Sequence, residues 1–192
     1  MLSLRHTVLI VAALNLAYFG VEFVAALRAG SVSLLADSAD FLEDAATNTL
    51  IFFALAWTAT RRATVGKVLA ALLLFPAVAF LWMLVAKFMN PTPPTAEALT
   101  LVGLGALAVN LTAAFLLARH RQAEGSLTRA AFLSARNDAF ANIGIIAAGL
   151  VTARYPSIWP DITVGVIIAI MNLDAAHEVW EAAHDEAQKA EA

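Results

Sequence analysis

The chain has 192 residues, of which 61% are hydrophobic and only 14% charged, with a formal net charge of −3 and no cysteine. Apolar runs of about 20 residues match the thickness of a hydrocarbon core, so the composition excludes a soluble globular fold and implies a lipid bilayer as partner. The missing cysteines exclude disulfides and thiolate ligands, leaving oxygen and imidazole to hold any metal; without a basic run or basic-aromatic patch, nucleic-acid binding is not expected.

Lipid leaves the α-helix as the only form open to single spanning segments. The expected fold is therefore all-α, a six-helix transmembrane bundle with spans at about 7–27, 33–58, 66–88, 96–118, 127–152 and 159–183. These form one transmembrane domain over 1–184, followed by a cytoplasmic tail, 185–192, too short to fold on its own.

The first span follows Arg5 and His6 as a signal peptide would, but it is long and carries Asn15 and Glu22, so it is expected to be retained. Those two residues are seven apart and share a face, where they could guide protons or support helix packing. The second span contains SLLADSADFLEDAATN, residues 33–48, with four acids. Asp40, Asp44 and Asn48 fall on one face, Asp37 lies a turn nearer the outer end, and Glu43 projects about 100° away from Asp44. Pro76 is expected to kink the third span, and Asn110 to make a packing hydrogen bond from the fourth. The fifth carries SARNDAFANIG, with Ser134, Asn137, Asp138 and Asn142. At the start of the sixth, Asp161 is expected to cap the positive helix end. At its other end Asp174, His177, Glu181 and His184 recur at three- and four-residue steps, a solvated helix tail or a cytoplasmic metal-gathering face.

With six spans, one side of the membrane holds Arg5, Arg61, Arg62, Lys67, Arg119, Arg121, Arg129 and Lys189, and the other only Arg28, Lys87 and Arg154. The positive-inside rule then places both termini in the cytoplasm, and the expected location is the cell's inner membrane, crossed several times. Counted at ~1.5 Å per residue, Asp40 is about 12 Å deep, Asp44 about 18 Å and Asp138 about 16 Å, near the middle of a ~30 Å core. The pattern D-A-x-x-N occurs at Asp44 to Asn48 and again at Asp138 to Asn142, in the second helix of each three-helix half. An ionised Asp costs about 2.5 to 3.5 kcal/mol at the centre of a spanning helix on insertion scales, and acids at one depth also repel. Arg136, two residues from Asp138, points away and is a poor partner; structural pairing or protonation is the plainer alternative, and a divalent cation the better one.

The stretch NLAYFGVEFVAALRAGSVSLLADSADFLEDA, residues 15–45, resembles the first two helices of cation diffusion facilitators, which export divalent metals in exchange for protons. The resemblance implies a homodimer and a tetrahedral site made by two ligand pairs. Asp40 and Asp44 fall on the pair of the second helix, Ser134 and Asp138 on that of the fifth, where His or Asp usually stands in the place of Ser134. A hydroxyl is a weak ligand, so Asn137, Asn142, Asp37 or water is an alternative fourth ligand. The family's usual cytoplasmic domain has no counterpart here, nor does its histidine-rich loop, where His120 stands.

The expected function is a secondary transporter, not an enzyme, carrying Zn2+ outward against inward protons by alternating access. Oxygen-rich ligation leaves Mn2+, Fe2+ and Co2+ as alternatives. No ATP-binding motif is present to drive it otherwise. Glu22, Asp37, Asn48 and Asn142 are candidates for further metal contacts or a proton path. An intramembrane aspartyl protease could use Asp44 and Asp138, although its G-x-G-D signature is replaced by ARND before Asp138.

Overall fold

The computed structural model describes residues 3–54, 78–120 and 126–172. Six helices occur there: α1 Leu4–Ala29, α2 Val32–Ala54, α3 Val78–Met89, α4 Ala96–Ala118, α5 Ser126–Arg154 and α6 Trp159–Asn172. Pro76, Arg61, Arg62, Lys67, Arg121 and Lys189 of the side expected to be cytoplasmic, and Asp174, His177, Glu181 and His184 lie outside the described residues. The 26 residues of α1 and 23 of α4 are apolar and long enough to cross a membrane, spanning about 39 and 35 Å at 1.5 Å per residue.

Helix ends follow local chemistry. Ser3 caps α1, accepting from the His6 N–H, and Thr95 caps α4, accepting from Ala98. At the end of α1, Gly30 adopts φ 61°, ψ 40°, a left-handed conformation that closes the helix as its N–H bonds the Ala26 carbonyl.

The pattern of burial is inverted relative to a soluble domain. On α1, Asn15 and Glu22 are fully buried while Leu16 and Val21 are more than half exposed; on α4, Asn110 is buried while Leu101 and Phe115 face outward. Lipid accepts the apolar outer faces, and polar side chains must find their partners inside.

Helices α1, α2, α4 and α5 pack together, most extensively as the pairs α1–α2 and α4–α5. Two apolar clusters close the bundle. One joins Ala26, Leu34, Leu35, Leu99, Ile145 and Ala148 with Phe80 and Met83 of α3 and Ile162 and Ile168 of α6. The other joins Val8, Val11, Ile51, Ala113, Leu117, Ala131 and Ala135. Asn15 and Glu22 of α1, Asp37, Asp40, Asp44 and Asn48 of α2, Asn110 of α4 and Asn142 of α5 fall between the two clusters along their helices, so a polar layer sits between apolar plugs.

Asp161 corrects the expectation of a local cap: it caps α2 rather than its own helix. Its carboxylate accepts from Ser31 Oγ (2.7 Å), Val32 N (2.9 Å), Ser33 N (3.0 Å) and Ser33 Oγ (2.7 Å), and pairs with Lys87 Nζ at 3.9 Å. The positive end of α2 favours that charge, whichever helix supplies it. One turn on, Gly165 lies so close to Val32 and Ser33 that a Cβ would stand 2.9 Å from their backbone. Helix α6 is thereby fixed against the first turn of the helix that bears the acids.

Candidate metal centre

The four-residue step places Asp40, Asp44 and Asn48 on the inward face of α2, exposed by 9%, 5% and 1%. Antiparallel α5 presents Ser134 and Asp138 to them. Ser134 Oγ donates to Asp44 Oδ1 at 2.9 Å, and Asn15 Nδ2 of α1 donates to Asp44 Oδ2 at 3.4 Å. Each oxygen of Asp44 therefore accepts one hydrogen bond from a neutral group and keeps a second lone pair. Asp138 lies within reach of the Ser134 hydroxyl and within electrostatic range of Asp40 and Asp44. Asn48 Nδ2 donates to the Asp44 carbonyl at 2.9 Å, and its Oδ1 is buried without a donor among the described residues. Among the described residues no three His, Cys, Asp or Glu side chains form a closed cage. The acids are instead neighbours around a serine hydroxyl, as mutual repulsion of like charges favours.

A second group of polar side chains lies toward the N-terminal end of α2. Asn110 Nδ2 donates to Asn142 Oδ1 at 3.0 Å, and Asn142 Nδ2 donates to Asp37 Oδ2 at 2.6 Å. Glu22 and Asp37 are fully buried and within hydrogen-bonding reach of each other. Tyr18 stands beside them, its hydroxyl donating to the Val102 carbonyl at 2.6 Å and its ring tilted against Phe41 at 5.0 Å. Asn142 and Asp37 are thus occupied with each other rather than turned to Asp44.

Asn137 does not join the centre. It is one residue, hence about 100° of helix, from Asp138. Its side chain is exposed and accepts from Arg136 Nη2 at 3.4 Å. Arg136 is also exposed and points outward, as its spacing from Asp138 requires. Glu43 is half-buried beside the acids. Two contacts escaped the sequence reading: Asn15 on Asp44, and Lys87, whose charge is buried and bonds the Thr92 carbonyl at 2.8 Å as well as facing Asp161. An asparagine within the apolar middle of α1 was the available signal for the first; a lysine next to a loop gave none for the second.

With this geometry in place, residues 8–184 match the family of the cation efflux transmembrane domain. A curated relative, the zinc transporter ZitB of Pectobacterium atrosepticum, is 29% identical over 142 residues. The matched region covers 68% of this chain and 44% of that transporter, so the chain spans less than half the length of its relative.

Proposed function

The chain belongs to the cation efflux transmembrane family, and on that premise we propose that it exports a divalent transition metal from the cytoplasm, exchanging it for protons by alternating access. The observation that carries this reading is the part-buried bridge from Ser134 Oγ to Asp44 Oδ1 at 2.9 Å, because it joins the proposed ligand pair of α2 to that of α5.

In this reading Asp40, Asp44, Ser134 and Asp138 hold the ion as substrate. A dication offsets the charge of acids that otherwise repel, and rotation of Asp40 and Asp138 toward Asp44 supplies the remaining oxygens. Protons compete for the same oxygens, which couples metal release to proton uptake. The apolar clusters above and below close the layer at its two ends, so an ion reaches it when the helices part at one end. Both termini on the cytoplasmic side, a multi-pass place in the inner membrane and a homodimer complete the proposal. Asn48, one turn below Asp44 with a free amide oxygen, is suited to receive an ion arriving from the cytoplasmic side.

Zinc is the proposed cargo. The relative's name favours it, and zinc accepts carboxylate oxygen. The oxygen-rich donor set is a specific reason to keep Mn2+, Fe2+ and Co2+ as a second reading. Family membership leaves the protease alternative without support.

Proteoliposomes test the proposal. An imposed pH gradient should drive Zn2+ accumulation in the compartment of lower pH, and Zn2+ movement should in turn move protons the other way. Zn2+ flux indifferent to the proton gradient would reject antiport, and no flux of any of the four metals would reject the transporter reading of this chain.

A further inference from the structure

Of six buried side-chain nitrogen or oxygen atoms without a hydrogen-bond partner among the described residues, three belong to just two carboxyls: Glu22 Oε1 and Oε2, and Asp37 Oδ1. Both side chains are 0% exposed, and neither is ion-paired to a described lysine or arginine. Buried acceptors without donors are rare and cost about 1 to 3 kcal/mol each. Glu22 and Asp37 cannot donate to each other while both are ionised, and two buried carboxylates within reach of each other repel. One proton resolves the conflict, because a carboxylic acid becomes a donor to its neighbour.

We propose that Glu22 and Asp37 bind one proton between them, as a site separate from the metal-holding acids, and that a dication arriving at Asp40, Asp44 and Asp138 expels it. The proposal rests on the antiport reading and deepens it by giving the coupling ion a seat of its own. The neighbouring groups define the geometry. Asn142 Nδ2 occupies Asp37 Oδ2 and is itself held by Asn110, which leaves Oδ1 as the oxygen free to share the proton with Glu22.

The charges around the pair set the direction of coupling. From α1, Tyr18 faces it with its hydroxyl committed to Val102; from α2 comes Asp40, from α5 Asp138, and from α4 the neutral Asn110. The cation of α3, Lys87, is tied to Asp161 at the end of the bundle. A dication bound between Asp40 and Asp138 repels a proton on the neighbouring pair, and the proton leaves; reciprocally, a proton on the pair weakens metal binding.

The test uses the purified full-length chain and Zn2+ alone. Calorimetric titrations in buffers of different ionisation enthalpy give the protons released per Zn2+. Glu22→Gln and Asp37→Asn, which place a permanent amide donor in the pair, should still bind Zn2+ but release about one proton fewer per ion, with a correspondingly shallower dependence of Kd on pH. Infrared difference spectra supply a measurement that needs no variant. The wild type without Zn2+ should show the C=O band of a protonated, hydrogen-bonded carboxyl near neutral pH, and Zn2+ should remove it. In Asp44→Ala the band should persist on adding Zn2+. Equal proton release in wild type and both variants, or no such band in the wild type, overturns the shared proton while leaving antiport standing. Zn2+ binding by the wild type with no proton release at all would instead overturn the antiport reading itself.

Discussion

Asp161 and Asp44 are both buried aspartates in a membrane-spanning chain, yet their surroundings differ in kind. Asp161 receives four hydrogen bonds, two of them from backbone N–H groups at the positive end of α2, and has Lys87 beside it. Asp44 receives one bond from a serine and a longer one from an asparagine, and its charged neighbours are other acids. A carboxylate saturated by donors is held in place and has nothing further to bind. One left short of positive charge has affinity to spare for a cation. Asp161 thus fixes the helices, whereas Asp44 and its acidic neighbours are the acids proposed to handle an ion.

The two kinds should therefore fail differently. Asp44→Ala or Asp138→Ala should abolish metal transport in proteoliposomes while leaving helix content and thermal stability in detergent at or above the wild-type level, since each change removes a repelling charge. A collapse of folding in either variant would place these acids with Asp161. Conversely, Asp161→Ala strands two hydroxyls, two N–H groups and a buried lysine, and should lower stability by about 3 to 5 kcal/mol, as breaking a buried pair does. Thermal unfolding of the detergent-solubilised chain measures it; a stability loss as small as that of a surface substitution would mean that water replaces the carboxylate.

How far the sequence reveals this contrast depends on the range of each interaction. Helical periodicity is local, so the common face of Asp40, Asp44 and Asn48, the outward direction of Arg136 and the six helices were legible from spacing alone. Pairing between α2 and α5 was legible because depth can be counted from each membrane boundary, and the structure brings Ser134 to Asp44 at that level. The role of Asp161 was not. Its position near a helix start pointed to its own helix, whereas the donors it meets lie 128 to 130 residues earlier in the chain. Asn137 could have been set aside by the argument applied to Glu43, since one residue turns a helix by about 100°. The polar chain Asn110, Asn142 and Asp37 joins three helices, and one sequence carries no record of such a junction.

A smaller perturbation of the fixed region sharpens the same contrast. Gly165→Ala places a methyl 2.9 Å from the backbone of Val32 and Ser33, atoms that cannot rotate away. Helix α6 must shift, and overpacking of this kind costs about 1 to 3 kcal/mol. Stability should fall by that amount, with Zn2+ affinity at the acids of α2 changed less than threefold. A larger change in affinity would show that the first turn of α2 and the metal centre move as one.

The smallest expected effect concerns Ser134, which lies at the boundary between the two kinds of acid because its hydroxyl supplies Asp44 with one of its few donors. Replacing it by histidine puts an imidazole nitrogen at a position already within hydrogen-bonding distance of Asp44. Nitrogen suits zinc better than manganese, so Ser134→His should raise the ratio of zinc to manganese affinity by about tenfold, equivalent to about 1.4 kcal/mol. Ser134→Ala should change either affinity little, because water can take over a hydroxyl's contact in a polar layer. Parallel titrations of Zn2+ and Mn2+ on the two variants decide the matter. Unmoved selectivity with histidine, joined to a large loss with alanine, would mean that the hydroxyl serves only to orient Asp44, and that the ion completes its shell with water or with the free oxygen of Asn48.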